Sequence, residues 1–347
     1  MIGPDGIRDR RGAAMAVTDA YQVFDDRFRP LASGDAVVER IWSGCRWAEG
    51  PVYFPAGRYL VWSDVSNDRM LRWDEVTGSV GSFREPSGYA NGNTVDGSGR
   101  LVTCEQGKRR VTRTEHDGSV SVIADSYRGM RLNSPNDVVV HSDGSIWFTD
   151  PSYGIDSDYE GWRAESEIGA CNVYRVDPAS GEVRVVADDF ERPNGLAFSL
   201  DERRLYIADS RADHIRVFDV DDGGALSGGE VLANCTAGGF DGFRLDADGR
   251  IWAGAGDGVH CFEPDGTLIG KILVPETVAN VVFGGRRRTT LFICATTSVY
   301  SVMLPVKGAP LPLDRATGAD GAGVAEGPDR PARRTKRRGP AESAGPP

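Results

Sequence analysis

Six residues recur at one offset within a repeated stretch of this chain, and all six carry oxygen: Glu49, Asn91, Asn136, Asn194, Asp241 and Asn280. Each stands ten or eleven positions before an apolar residue just past a tight turn, at Leu60, Leu101, Ile146, Leu205, Ile251 and Leu291. If they meet, two carboxylates and four amides have no Lys, Arg or His among them to pair with. Burying each without a partner costs about 1–3 kcal/mol. Two nearby carboxylates also repel and raise one pKa. A hard divalent cation relieves both problems, because carboxylate and amide oxygens suit Ca²⁺, and also Mg²⁺ or Mn²⁺. Two plainer readings stay open here. Asn and Asp favour turns and cap loops unaided, and water can bridge amides in a structural channel.

The elements that must position these residues are short strands. Around each marker the pattern is an alternating apolar run, a turn rich in Asp, Gly or Arg, and a second apolar run. The marker spacings are 41, 45, 59, 46 and 40. Periods of this size with several strands per unit indicate the blades of a propeller. The expected fold is all-β, a six-bladed β-propeller over residues 22–306, with equivalent positions of the inner strands ringing the axis at a central metal site. The stretch Ala36–Trp42 is expected to close the ring beside Ser298–Met303, removing open sheet edges. The long third interval holds an insertion near Gly154–Gly169, read as either a lid or a surface loop.

Composition limits the partners. The net charge is −11, which disfavours binding to nucleic acid. Residues 1–21 and 307–347 are polar or rich in Pro, Gly and Arg, and are expected to be disordered. The basic run Arg333–Arg338 reads as a solvated tail. Six cysteines, at 45, 104, 171, 235, 261 and 294, form no CxxC pair and read as small core residues. The N-terminus is charged and lacks an apolar signal stretch, and no window is apolar enough to span a membrane. A cytoplasmic protein, a monomer or small homo-oligomer, is the expectation. The four histidines, His116, His141, His214 and His260, suggest no Ser-His-Asp triad.

Five stretches resemble the SMP-30/gluconolactonase family, also called regucalcin-like, whose more distant relative is the calcium-dependent diisopropyl-fluorophosphatase. They are Ala48–Tyr53 (AEGPVY), Cys104–Arg113 (CEQGKRRVTR), Arg131–Gly154 (RLNSPNDVVVHSDGSIWFTDPSYG), Arg192–Ser199 (RPNGLAFS) and Pro275–Gly285 (PETVANVVFGG). The resemblance implies a six-bladed propeller around one divalent cation, Ca²⁺ before Mg²⁺, Mn²⁺ or Zn²⁺. It implies Glu49, Asn136, Asn194 and Asp241 as ligands, and Arg131 and Asn133 as contacts to a small lactone substrate. Asp241 is the expected base, and Asn91 and Glu105 are further candidates to face the substrate. The implied activity is hydrolysis of a sugar lactone. The alternative is the same site serving organophosphate ester hydrolysis or a biosynthetic cyclase or isomerase step. Phe240 departs from the family, which usually has Pro before the metal Asp. It is expected to narrow or reorient that wall of the pocket.

Overall fold

The alternating runs and Asp/Gly turns become antiparallel strands. In the computed structural model, which describes residues 7–9, 20–32 and 36–316, six sheets surround a central channel. The inner strands, in order, are Ala48–Phe54, Ala90–Val95, Val138–Val140, Pro193–Phe198, Phe243–Leu245 and Val278–Gly284, and they define blades 1 to 6. Each packs beside the next, and the sixth packs beside the first. The turn after an inner strand is fixed by its own side chains. Asp96 Oδ1 accepts the amides of Ser98 and Arg100 at 2.9 Å, and Asp246 Oδ1 those of Asp248 and Arg250 at 3.0 Å. Gly99 and Gly249 follow at φ +78° and +82°, a left-handed conformation glycine adopts freely.

The ring closes through the N-terminal part of the chain. Val38–Ser43 runs antiparallel to Ser298–Met303 as the outer strand of blade 6, as the sequence suggests. Ile7–Asp9 pairs in parallel beyond it, and Tyr21–Val23 adds an edge to blade 5. Ala20 is buried, so packing starts before residue 22. The far boundary also shifts. Residues 307–316 do not leave the propeller: Gly308 N donates to Arg288 O, Ala309 N to Leu245 O, and Ala247 N to Lys307 O. The rest of 1–21 and 307–347, where disorder is expected, lies outside the described residues.

The core is divided. One apolar cluster fills each gap between neighbouring blades, six in all. Strands such as Ile251–Ala255 are therefore buried on both faces. Trp62, Trp147 and Trp252 sit fully buried in three different gaps. Truncating one to Ala costs about 3–5 kcal/mol. The six cysteines are free, and four of them are buried. No helix among the described residues is long and apolar enough to cross a membrane.

Candidate metal centre at the end of the channel

The six oxygen-bearing residues form a closed circle, held link by link. The residue after four of them is glycine, and those glycines let adjacent inner strands touch. A Cβ on Gly50 would stand 2.0 Å from Asn91 O, one on Gly92 2.4 Å from Asn136 O, and one on Gly195 2.5 Å from Asp241 O. A Cβ on Gly242 would strike the Asn280 amide. Asn280 Nδ2 donates to Glu49 Oε2 at 3.1 Å, closing the circle between blades 6 and 1. The remaining link runs through Thr149, whose carbonyl accepts from Asn136 N at 2.9 Å and whose hydroxyl donates to Asn194 O at 2.9 Å.

Within this circle the carboxylates lack cationic partners. Burial pushes the Glu49 carboxyl up to about 7, against hydrogen bonds from Gly50 N at 2.6 Å and from Asn280. Asp241 is held well above its usual value by burial and then by the charges of Glu49, Glu160 and Asp137. Asp241 Oδ1 and Asn91 Oδ1 are buried with no hydrogen-bond partner. Orphaned oxygens beside two disfavoured carboxylates form a donor set of hard oxygens, which suits a divalent cation such as Ca²⁺. Among the described residues no three His, Cys, Asp or Glu side chains gather as a metal site, so a cation here would also need the amides.

The other predicted site residues are placed differently. Asn133 donates through Nδ2 to Asp150 O at 3.0 Å and Ala170 O at 2.8 Å, and accepts from Ser166 Oγ at 2.5 Å. It thus ties the insertion to blade 3. Glu105 accepts from Arg110 Nε at 2.8 Å and Thr112 Oγ1 at 2.9 Å, with Arg84 beside it, so both oxygens are engaged within blade 2. Arg131 is exposed, and its backbone amide donates to Glu167 Oε2 at 2.8 Å. Phe240 does not line the centre. Its ring is fully buried against His260 and Phe262, because the apolar gap between blades 4 and 5 takes it. The expectation of a narrowed wall is corrected accordingly.

Sequence reasoning missed the residues of the insertion. Gly154 packs on the Cβ atoms of Gln106 and Ser134, and Gly161 packs against Gly154 O. The Arg192 guanidinium lies 4.8 Å from the Tyr153 ring centre, and Arg192 pairs with Asp156 at 2.8 Å. Trp162 meets Tyr89 edge-on at 5.4 Å, and Arg46 lies 6.0 Å from the Tyr159 ring centre. The insertion therefore reaches blades 4 and 2 and the segment leading into blade 1, which takes it across the end of the channel. Burial, aided by the charge of Asp241, pushes the Tyr153 hydroxyl up to about 12, against the influence of Ser210 and Asn194. Glu160 is pushed up to about 7 by burial and then by Asp156, and its charge reaches both Glu49 and Asp241. The acid- and aromatic-rich composition of 154–169 was the available signal.

An all-β six-bladed propeller with a ring of oxygen donors at one end of its channel defines the class of protein. The chain belongs to the SMP-30/gluconolactonase family: the region described as SMP-30/Gluconolactonase/LRE-like matches residues 47–297. It is 32% identical over 308 residues to a gluconolactonase of Zymomonas mobilis, covering 80% of this chain and 84% of that protein. It is 29% identical over 259 residues to a pentonolactonase of Haloferax volcanii, covering 72% and 82%. A solved gluconolactonase of Xanthomonas campestris superposes with a TM-score of 0.78 at 37% identity, covering 83% of this chain and 95% of that one.

Proposed function

We propose that this chain is a divalent-cation-dependent sugar lactonase, with Glu49, Asn136, Asn194 and Asp241 holding the cation and Ca²⁺ the preferred ion. The observation that carries the reading is the closed ring of buried oxygens, with two carboxylates whose charge is disfavoured by burial and by acidic neighbours, and two oxygens lacking partners. Relatives that act on gluconolactone and pentonolactone supply the substrate class. When bound, the cation supplies a Lewis acid for the lactone carbonyl and an acidified water.

The chain's own residues do the rest. Asp241 Oδ1, unpaired in the protein, accepts the proton of the attacking water. Water adds to the carbonyl carbon, the ring C–O bond breaks, and the leaving alkoxide takes up a proton to give the hydroxy acid. Asn91 Oδ1, also unpaired, accepts from a substrate hydroxyl. Arg131, exposed beside the insertion, meets the polar face of the sugar. Asn133 positions the insertion and does not contact substrate, because its amide is already engaged.

The test is acid release from glucono-1,5-lactone by purified protein, with and without chelator, alongside Asp241→Ala. Activity should fall at least ~100-fold in both cases. Turnover that survives both would sink the mechanism. Tight cation binding with no turnover across a panel of aldonolactones would shift the reading to another reaction at the same centre.

A further inference from the structure

Beneath the ring, one ion pair crosses the channel. Asp137 follows Asn136 and is only 1% exposed. Both its oxygens are engaged. Arg244 Nη1 donates to Oδ2 at 3.1 Å and Nη2 to Oδ1 at 3.4 Å, and Val138 N donates to Oδ1 at 2.9 Å. Arg244 lies on the inner strand of blade 5, three positions after Asp241, and Asp137 leads into the inner strand of blade 3. Arg244 Nη1 is also held by Phe243 O at 2.7 Å. Below it lies a mostly apolar cavity of about 120 Å³, walled by Val139, Leu245 and Val282 and by Ala309–Pro312.

The place of Asp137 in the repeat makes the pair unusual. The residue following each ring position is Gly50, Gly92, Asp137, Gly195, Gly242 and Val281. Asp137 alone brings a charge to this level. Gly92 makes room for it, since a Cβ there would stand 2.7 Å from Asp137 Oδ1. Its charge reaches both ring carboxylates. A third carboxylate next to a cation ligand would join or reinforce the donor set unless something held it back. A buried carboxylate stripped of its partner is strongly destabilised.

We propose that Arg244 is a positioning residue for the centre: by engaging both oxygens of Asp137 across the channel, it withholds a third carboxylate from the cation and keeps binding weaker than the ring could make it. The inference rests on the reading that the ring holds a cation, and it adds what sets the affinity. Removing Arg244 leaves the buried Asp137 carboxyl without its cationic partner, with the cation as the nearest source of opposite charge.

The experiment is calorimetric titration of Ca²⁺ into chelator-stripped, full-length parent, Arg244→Met, Asp137→Asn and the double variant, with thermal unfolding in chelator to confirm that each is folded. Arg244→Met should bind Ca²⁺ on the order of tenfold to a hundredfold more tightly, because one unit of opposing charge is gone from a partly desolvated site. The double variant should return to within about threefold of the parent, since it lacks the carboxylate that Arg244 restrains. A purely structural role would loosen Arg244→Met, and Asp137→Asn would not reverse it. Arg244→Gln, which keeps a donor but loses the charge, replaces Arg244→Met if the latter fails to fold. Unchanged or weaker binding in the charge-removed variant, or tightening that persists in the double variant, overturns the proposal. A parent that binds no cation overturns the lactonase reading as well, whereas a parent that binds while Arg244→Met matches it overturns this inference alone.

Discussion

Glu49 and Asp241 are buried carboxylates, and both feel the charges of two further acidic residues, Asp137 and Glu160. Without a cation the Glu49 carboxyl titrates at about 7, against an ordinary 4.5. The folded protein then holds more protons than the unfolded chain between these values. Its stability is greatest below about pH 4.5 as far as this group is concerned, and that contribution is lost as pH rises toward 7. Cation binding must expel the proton, so Ca²⁺ should tighten over the same window. Thermal unfolding at pH 5 and pH 8, in chelator and in Ca²⁺, checks this. The Ca²⁺-induced gain in Tm should be several degrees larger at pH 8. An equal gain at both values would show that Glu49 stays ionised in the empty protein.

At the scale of elements, the insertion covers the centre through close backbone packing. A Cβ added at Gly161 would stand 2.2 Å from Gly154 O. Backbone cannot yield as a flexible side chain does, so Gly161→Ala should displace the segment that carries Glu160. The expected result is KM for the lactone raised about fivefold or more, with Ca²⁺ affinity within about twofold of the parent. Lactone saturation curves and a Ca²⁺ titration separate these readouts. Trp162→Ala, which removes the contact to Tyr89, should act in the same direction with less effect on folding, because Trp162 is 61% exposed. The insertion's role was not legible in the chain. Its residues have no counterpart in the other repeats, so no offset marks Tyr153 or Glu160. The ring was legible for the opposite reason. Alternation and Asp/Gly turns are local signals, and Glu49, Asn91, Asn136, Asn194, Asp241 and Asn280 keep one offset from them. Asn133 and Glu105 sit in stretches that carry the resemblance, yet pattern could not reveal that Ser166, Ala170, Arg110 and Thr112 engage their polar atoms. The Asp137–Arg244 pair joins positions 107 apart, which no local pattern records.

At the scale of the whole molecule, a propeller must hold its blades in a closed ring, and this chain reinforces that ring at two places. Val38–Ser43 completes blade 6 at its outer edge. Residues 307–316 lie across the far end of the channel. Gly308 packs on Phe283 of blade 6, and Ala309 N bonds Leu245 O of blade 5. Arg315 reaches Leu200 O at 2.8 Å and Glu202 at 3.6 Å in blade 4, and Arg288 pairs with Asp314. The segment thus clasps three blades at the end of the channel opposite the oxygen ring, with the Arg244–Asp137 pair and the apolar cavity in between. Ending the chain after Val306 removes that clasp and exposes the cavity wall formed by Val282 and Leu245. The expected cost is about 2–4 kcal/mol, a fall in Tm of roughly 3–7 °C for a domain of this size. Because the ion pair separates the cavity from the ring, kcat and KM for the lactone at 25 °C should stay within about twofold of the full chain. Thermal unfolding and steady-state kinetics on the truncated protein decide it. A large loss of kcat without a loss of Tm would mean that the far end of the channel communicates with the catalytic end, and that the clasp does more than hold blades 4, 5 and 6 together.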